Sequence, residues 1–275
     1  HISINTISMT ITVTVTGPSP LDGIDCITGK KWLTYKRSLP WGSLRPTNSL
    51  MSILSEQLQS TEAWIFDLDN TLYCATTNLF GQIDVRMKSF IADFLDMEPD
   101  EAFKIQKRYF RDYGTTLRGL MDRHDIDPKA FLDHVHDIDV QVLPPNPVLD
   151  KALEELPGRK IIFTNADVGH ALRVMERLGV SHHFEAVFDI VASDYIPKPQ
   201  PEVYQALVER FDLNPKRAVM FEDMARNLKP AADMGMITVW VRTDTLWGQE
   251  SSDGEHIHYA TDDLPDWLSN IAASY

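Results

Sequence analysis

The sequence has few cysteines, no long apolar run and no excess of basic side chains, and each shortage excludes a class of protein. Cys26 and Cys74 are the only cysteines among 275 residues, too few for a disulfide framework and without the spacing of a metal site. No stretch of about eighteen apolar residues is present, so we predict no membrane span. The net charge of -14 argues against partners such as nucleic-acid polymers or anionic membranes, which bind basic surfaces. We expect a reduced, cytoplasmic protein.

Residues 1–50 differ in composition from the rest of the chain. They contain no glutamate, they are net positive, and they begin at His1 rather than at a methionine. Met51 and the residues that follow it are typical of an ordinary protein start. We therefore predict that Met51 is the natural initiator and that 1–50 is a non-native or disordered extension. A targeting segment is the alternative, because the stretch from Lys30 to Arg45 is basic and free of acidic residues.

The hydrophobic pattern after residue 62 changes from one strand to a helical region and then to alternating strands and helices. Between about 76 and 145 the apolar residues recur at helical spacing, as they do from Ile83 to Leu95. The predicted strands lie at 63–66, 160–163, 186–190, 218–221 and 237–241, with helices at 168–178, 201–211 and 225–234. Repeated strand–helix units require a parallel sheet with helices on both faces. We predict an α/β fold whose sheet is interrupted by an all-helical insert.

Four short polar motifs each follow a predicted strand. They are Asp67-Leu68-Asp69-Asn70-Thr71 after the first strand, Thr164-Asn165-Ala166 after the second, Pro197-Lys198-Pro199 in the loop after the third, and Glu222-Asp223 after the fourth. In open α/β sheets ligands bind at the carboxyl ends of the strands, so we expect these loops to converge on one crevice.

Each motif has a simpler structural interpretation when it is taken alone. The aspartates of the first motif suit a turn at the end of a strand, Thr164-Asn165 suits a helix N-cap, Lys198 suits an exposed loop, and Glu222-Asp223 suits the positive end of the next helix. The coincidence of all four at one sheet edge favours a functional site.

The combination of carboxylates and one lysine indicates phosphoryl chemistry. Asp67, Asp69 and Asp223 would repel one another at one edge of the sheet unless a hard cation such as Mg²⁺ were bound between them. Lys198 and the hydroxyl of Thr164 would bind the remaining phosphate oxygens. Phosphoryl transfer needs a nucleophile in line with the leaving group, a neutralising cation and a cationic clamp. The motifs therefore predict a Mg²⁺-dependent enzyme acting on a small phosphate monoester.

The four motifs, in this order, resemble those of the haloacid dehalogenase superfamily over roughly residues 62–241. The resemblance implies that Asp67 is the nucleophile, forming an aspartyl-phosphate, and that Asp69 is the general acid and base. It also implies a metal site formed by Asp67, Asp69 and Asp223, with Glu222 close by. Many members have a second acid four residues beyond the fourth-motif aspartate, where this chain has Asn227.

The resemblance further implies that Thr164, Asn165 and Lys198 bind the phosphoryl group. It implies a Rossmann-like parallel sheet core, formed by 51–75 and 146–275, with an inserted all-helical cap domain at 76–145. Such a cap closes over the substrate and excludes water.

Two stretches resemble the pyrimidine 5′-nucleotidase branch of that superfamily. They are Phe66-Asp67-Leu68-Asp69-Asn70-Thr71-Leu72-Tyr73 and, in the insert, Tyr113-Gly114-Thr115-Thr116-Leu117-Arg118-Gly119. The resemblance implies hydrolysis of nucleoside 5′-monophosphates, preferably UMP and CMP, with Arg118 in contact with the nucleotide. A phosphoglycolate or sugar-phosphate phosphatase is the main alternative, because the core motifs do not separate these activities. A phosphomutase and a non-catalytic binding module are further alternatives.

Overall fold

The computed structural model describes residues 58–273 and Tyr275. The extension predicted at 1–50 and the start predicted at Met51 lie outside the described residues. None of the helices in the described part of the chain combines the length and the apolar character that a membrane span requires.

The described residues form a six-stranded parallel sheet. Its strands are β1 (Ala63–Phe66), β2 (Arg159–Phe163), β3 (Ala186–Phe188), β4 (Ala218–Glu222), β5 (Ile237–Val241) and β6 (Tyr259–Thr261). They are ordered β3-β2-β1-β4-β5-β6, and Phe66 at the end of β1 pairs with Ile162 on one side and with Phe221 on the other. The first strand thus lies centrally, and the predicted α/β fold is confirmed.

Helices occupy both the insert and the connections between strands. The insert contains α1 (Leu79–Leu95), α2 (Pro99–Tyr113), α3 (Thr116–His124) and α4 (Pro128–Val135); the other helices are α5 (Pro147–Glu155), α6 (Val168–Leu178), α7 (Pro201–Phe211), α8 (Leu228–Asp233) and α9 (Leu264–Ala272). No strand lies between β1 and β2 in this described segment. The boundaries predicted for the cap, 76 and 145, stay a prediction.

Three apolar cores follow from this arrangement. Alternate residues of β1 point to opposite faces of the sheet, so Trp64 and Phe66 pack in one core and Ala63 and Ile65 in the other. The Phe66 ring stacks on the Phe221 ring with centroids 4.6 Å apart. A third core includes Ile83, Tyr109, Leu120 and Phe131 of the insert together with Ile190 from the segment after β3. The insert thus packs mainly on its own apolar residues and contacts the segment after β3 through Ile190.

The structure differs from the sequence-based prediction mainly at segment ends. The predicted helix at 225–234 is a 3₁₀ turn, Ala225–Asn227, followed by the short α8. Pro230 has no N–H to donate, which restricts it to the first turn of a helix. The strand predicted to reach residue 190 ends at Phe188, because the Asp189 carboxylate accepts hydrogen bonds from the backbone of Val168 and Ala192 (both 2.8 Å).

Two glycines with positive φ allow a matched test of this backbone. Gly158 leads into β2 at φ +94°, and a Cβ there would lie 2.8 Å from the carbonyl oxygen of Glu62; Gly179 ends α6 at φ +83° with no atom within 4 Å of a Cβ. We expect Gly179→Ala to lower the free energy of unfolding by about 1–2 kcal/mol, the cost of a left-handed residue with a side chain. Gly158→Ala should lower it further, because the β1 connection must also shift. Equal losses in urea denaturation would contradict this placement of Gly158.

Candidate active site

The carboxyl ends of β1, β2 and β4 form one wall of a cavity of about 480 Å³, and the insert forms much of the rest. Seven of the eight residues predicted for the site line this cavity, namely Asp67, Asp69, Thr164, Asn165, Lys198, Glu222 and Asp223. Parallel strands end at the same edge of a sheet, which is why motifs so far apart in the sequence converge.

Lys198 is the centre of the site. Its side chain is 1% exposed, and its Nζ donates to Asp67 Oδ1 (2.7 Å), to Glu222 Oε2 (2.6 Å) and to the carbonyl oxygen of Phe163 (2.8 Å). These three bonds use all three donors of the ammonium group. Burial lowers the pKa of Lys198, but the two carboxylates outweigh it and raise the pKa above its ordinary value, so the lysine is charged. In this structure the Lys198 ammonium holds the carboxylates of Asp67 and Glu222 in place.

The Asp67 carboxylate is fixed at both oxygens. Lys198 binds Oδ1, and the Thr71 hydroxyl donates to Oδ2 at 3.0 Å. The Asp67 backbone N–H donates to the carbonyl oxygen of Phe221, which extends the pairing of β1 with β4. Burial and the negative charge of Glu222 raise the pKa of Asp67 to about 7, against the opposing effect of Lys198. The carboxylate is therefore oriented and poorly solvated, both of which favour a nucleophile.

Asp69 lies in a different electrostatic environment from Asp67. Its Oδ1 accepts hydrogen bonds from the Tyr73 hydroxyl (2.6 Å) and lies 2.9 Å from Nε2 of His170. Burial would raise the pKa of Asp69, but His170 and Tyr73 outweigh it, so this pKa lies below its ordinary value. The two neighbouring carboxyl groups thus have pKa values shifted in opposite directions, because their hydrogen-bond partners differ.

Thr164 and Asn165 form hydrogen bonds that hold the loop after β2 and the loop after β3 that carries Lys198. The Thr164 hydroxyl accepts from the backbone N–H of Ala166 at 3.0 Å, and its side chain is buried at the cavity wall. Asn165 Oδ1 accepts from the backbone N–H of Lys198 at 2.9 Å. Asn165 thus positions the loop that carries the lysine, and a phosphoryl contact for either residue stays a prediction.

The side chains at the end of β4 fit a divalent cation. One oxygen from each of Asp67, Glu222 and Asp223 lies within 4.8 Å of the others, and all three residues are buried. Burial, then Glu222 and Asp67, raise the pKa of Asp223 well above its ordinary value. The Oδ1 atom of Asn227 is buried nearby without a hydrogen-bond partner among the described residues. A cluster of hard oxygen donors whose mutual repulsion Lys198 relieves only in part matches what Mg²⁺ binds.

Arg118 is not brought to the site. Its guanidinium pairs with Asp122 on the same helix at 3.0 Å, it is partly exposed, and it does not line the cavity. Its backbone N–H donates to the Thr115 hydroxyl, which caps α3. The cap places Arg118 in the first turn of α3, where its i,i+4 partner is Asp122. The predicted contact between Arg118 and the substrate stays a prediction, and in this structure the side chain pairs with Asp122 instead of lining the cavity.

Two residues that contact Asp69 were not predicted from the sequence. Tyr73 lies four residues after Asp69, and His170 lies on α6 with no exposed surface. The available signal for His170 was its position on the apolar face of a strongly amphipathic helix, where a polar residue needs a partner. The pattern did not show that the partner would come from the loop after β1.

Comparison with known proteins places the chain in a family. A profile of the haloacid dehalogenase-like hydrolases matches residues 61–235, the span that contains all four motifs. The chain belongs to the haloacid dehalogenase-like hydrolases. The resemblance to the superfamily is thereby confirmed, whereas the pyrimidine 5′-nucleotidase branch stays a prediction.

Individual relatives are distant. Phosphate metabolism protein 8 of Saccharomyces cerevisiae is 26% identical over 192 residues, which cover 64% of this chain and 60% of that protein. Glyceraldehyde 3-phosphate phosphatase of Methanocaldococcus jannaschii is 26% identical over 226 residues, 75% of this chain and 95% of that protein. A haloacid dehalogenase-family phosphatase from Thermococcus onnurineus shares the fold, with a TM-score of 0.52 at 18% identity over 77% of this chain and 98% of that one. The chain thus spans less than two thirds of the yeast relative.

The carboxylate cluster predicts how the protein responds to Mg²⁺. At a Mg²⁺ concentration about 100 times the Kd, we expect the thermal midpoint to rise by about 5–10 °C, because the cation binds only the folded site. Asp223→Asn should remove most of that rise and should itself raise the midpoint in EDTA, because it relieves repulsion.

The matched control for this thermal-shift measurement is Asp93→Asn, which changes an exposed carboxylate on α1. It should leave the Mg²⁺ response as in the unaltered chain. An Asp223→Asn variant that keeps the full response would contradict the placement of the cation.

Proposed function

We propose that this hydrolase is a Mg²⁺-dependent phosphatase that cleaves nucleoside 5′-monophosphates, preferably UMP and CMP, through an aspartyl-phosphate. The observation that carries the proposal is the buried Lys198 ammonium between Asp67 and Glu222, with Asp223 and Asp69 at the same end of the cavity. Hydrolysis of a phosphate monoester needs a held nucleophile, a proton-transfer group and concentrated positive charge, and these residues supply all three when the cation is bound.

The first half of the reaction forms the covalent intermediate. A carboxylate oxygen of Asp67 attacks phosphorus while the ester P–O bond breaks on the opposite side, and Asp69 gives a proton to the leaving oxygen. Lys198 and Thr71 hold the two Asp67 oxygens in place for this attack. Asp67, Asp223 and Glu222, with the backbone carbonyl of Asp69, would hold Mg²⁺, which would supply positive charge against the phosphoryl oxygens.

The second half releases phosphate. Asp69, now a carboxylate, takes a proton from water as the water attacks phosphorus, and the bond to Asp67 breaks. The lowered pKa of Asp69 makes it a carboxylate at neutral pH in the free site. The negative charge of the phosphoryl group raises that pKa when substrate is present, which provides the protonated form for the first half.

The lining of the cavity supports a leaving group that carries an aromatic base. Apolar side chains from the insert dominate the wall opposite the carboxylates, including Phe80, Ile83, Met87, Phe110, Leu117 and Phe131. A sugar leaving group exposes hydroxyls on most of its surface, and burying them against such a wall would leave them without hydrogen bonds. A nucleobase has two apolar faces and a few polar edge atoms, which suits this cavity better. We propose residues 76–145 as the cap that closes it.

Gln106 provides one polar group for recognition within that wall. Its Nε2 donates to Asp84 Oδ1 at 2.8 Å, whereas its Oε1 is buried and has no hydrogen-bond partner in the described part of the chain. Uracil and cytosine both present N–H donors on the base edge, so we propose that Gln106 Oε1 accepts one of them. A partner for this oxygen would remove an unsatisfied buried acceptor.

A sugar-phosphate or phosphoglycolate phosphatase remains the second candidate. The relative named glyceraldehyde 3-phosphate phosphatase is matched over 95% of its length, and a phosphorylated carbohydrates phosphatase of Thermotoga maritima is 28% identical over 105 residues. These names favour a small polyhydroxylated leaving group, against the apolar lining of the cavity.

The test is phosphate release from a panel of UMP, CMP, AMP, phosphoglycolate, glyceraldehyde 3-phosphate and glucose 6-phosphate. We expect the highest kcat/KM for UMP and CMP, no turnover in EDTA, and loss of at least about a hundredfold in Asp67→Asn, because the nucleophile is removed. Preference for the last three substrates would support the second candidate. If the folded protein released no phosphate from any of these substrates, a binding module would be supported. Transfer of the phosphoryl group to a sugar would support a mutase.

Gln106→Met tests the base contact separately. The substitution keeps the length of the side chain and removes the acceptor, so kcat/KM for UMP and CMP should fall about tenfold, the effect of one hydrogen bond. The kcat/KM for p-nitrophenyl phosphate, which has no N–H donor, should change little. An equal fall for all three substrates would show that Gln106 acts only through the packing of the insert.

A further inference from the structure

His170 is a buried polar residue that the steps above leave without a role. It lies in the first turn of α6, and its backbone N–H donates to the Asp167 carboxylate that caps this helix (2.9 Å). Its side chain is 0% exposed, and its Nε2 lies 2.9 Å from Oδ1 of Asp69, in the loop after β1. A buried imidazole within hydrogen-bond distance of the Asp69 carboxylate restricts the orientation of that carboxylate.

The hydrogen bonds of the Asp69 side chain are one-sided. Tyr73 and His170 both reach Oδ1, and Oδ2 has no hydrogen-bond partner within the part of the chain that the structure describes. A carboxylate held by two donors at one oxygen cannot rotate freely about its last torsion. Fixing Oδ1 in this way also fixes the position of Oδ2, and Oδ2 is the oxygen left available for proton transfer.

The orientation of the His170 ring is set by packing rather than by a second hydrogen bond. Its Nδ1 is buried without a partner among the described residues, and its face stacks on the His136 ring with centroids 4.5 Å apart and planes 16° apart. His136 is in turn held by the Asp167 side chain. Nε2 carries a proton in the tautomer that this contact selects and also in the charged ring, so donation to Asp69 does not depend on the ring's charge.

We propose that His170 is a positioning residue: together with Tyr73 it anchors Asp69 Oδ1, so that Oδ2 is the oxygen that exchanges a proton with the leaving group and with water. This inference rests on the proposed function. Proton transfer needs an acid within hydrogen-bond reach of the departing oxygen, and a carboxyl group that swings between orientations spends little time there.

The dependence of rate on the leaving group distinguishes this role from a structural one. Alkoxide leaving groups, such as the 5′-oxygen of a nucleotide, need a proton as they depart, whereas p-nitrophenolate leaves readily without one. The kcat/KM value reports the step in which the leaving group departs, whichever half-reaction limits kcat. A misdirected Asp69 should therefore slow alkyl phosphates selectively, and general-acid catalysis contributes about 10²–10⁴-fold.

The experiment compares His170→Phe with His170→Gln over a series of phosphate esters from UMP to p-nitrophenyl phosphate, with Mg²⁺ present. His170→Phe keeps a ring that can stack on His136 but has no donor, and we expect kcat/KM for UMP to fall about ten- to hundredfold. The value for p-nitrophenyl phosphate should stay within about threefold of the unaltered chain. His170→Gln places an amide N–H near the position of Nε2 and should recover much of the loss for UMP.

Three controls make the result decisive. Tyr73→Phe removes the other donor to Oδ1 and should show the same selective pattern, which keeps the proposal testable if His170→Phe does not fold. The Mg²⁺-induced thermal shift, measured for each variant, reports whether the carboxylate cluster is intact. An equal loss over the whole ester series, or no loss for UMP, would overturn the positioning role. Full activity of Asp67→Asn would instead overturn the proposed function, so the two failures are distinguishable.

Discussion

The bonds of the buried Lys198 ammonium to Asp67 and Glu222 are the interaction on which the rest of the site depends. Three carboxyl groups at one end of a parallel sheet repel one another and are costly to desolvate. One lysine with all three donors satisfied offsets part of that cost and fixes the angle of the nucleophile. It does not neutralise the cluster, and the remaining negative charge, with Asp223, accounts for the predicted need for a divalent cation.

The fold places the reacting groups at the ends of the strands and most of the apolar lining of the cavity on the helical insert. The reacting groups lie just past the ends of β1, β2 and β4, or on the loop that carries Lys198, which Asn165 holds by a hydrogen bond. The strands themselves lie between two apolar cores. Most of the apolar lining of the cavity comes from the helical insert, whose core also includes Ile190 from the segment after β3. The reacting groups and the apolar wall of the cavity thus come from different segments of the chain.

Much of this arrangement was predictable from the sequence because each of the first four strands is followed by a polar motif. β1, α6, α7 and β5 match their predicted bounds. The three-residue β6 is too short to give a periodic signal, and contacts between distant elements leave no local pattern. The contact of His170 with Asp69 spans 101 positions, and the pairing of Arg118 with Asp122 depends on where α3 begins.

The most direct test of the account is the position of the phosphoryl group in a trapped intermediate. The Asp69→Asn variant, incubated with Mg²⁺ and p-nitrophenyl phosphate and then quenched in acid, should accumulate protein that carries one phosphoryl group, because water is no longer activated to hydrolyse it. The account predicts that peptide mass spectrometry finds the group on Asp67 alone. A phosphoryl group on another residue, or rapid turnover without any covalent species, would contradict the assignment of Asp67 as the nucleophile.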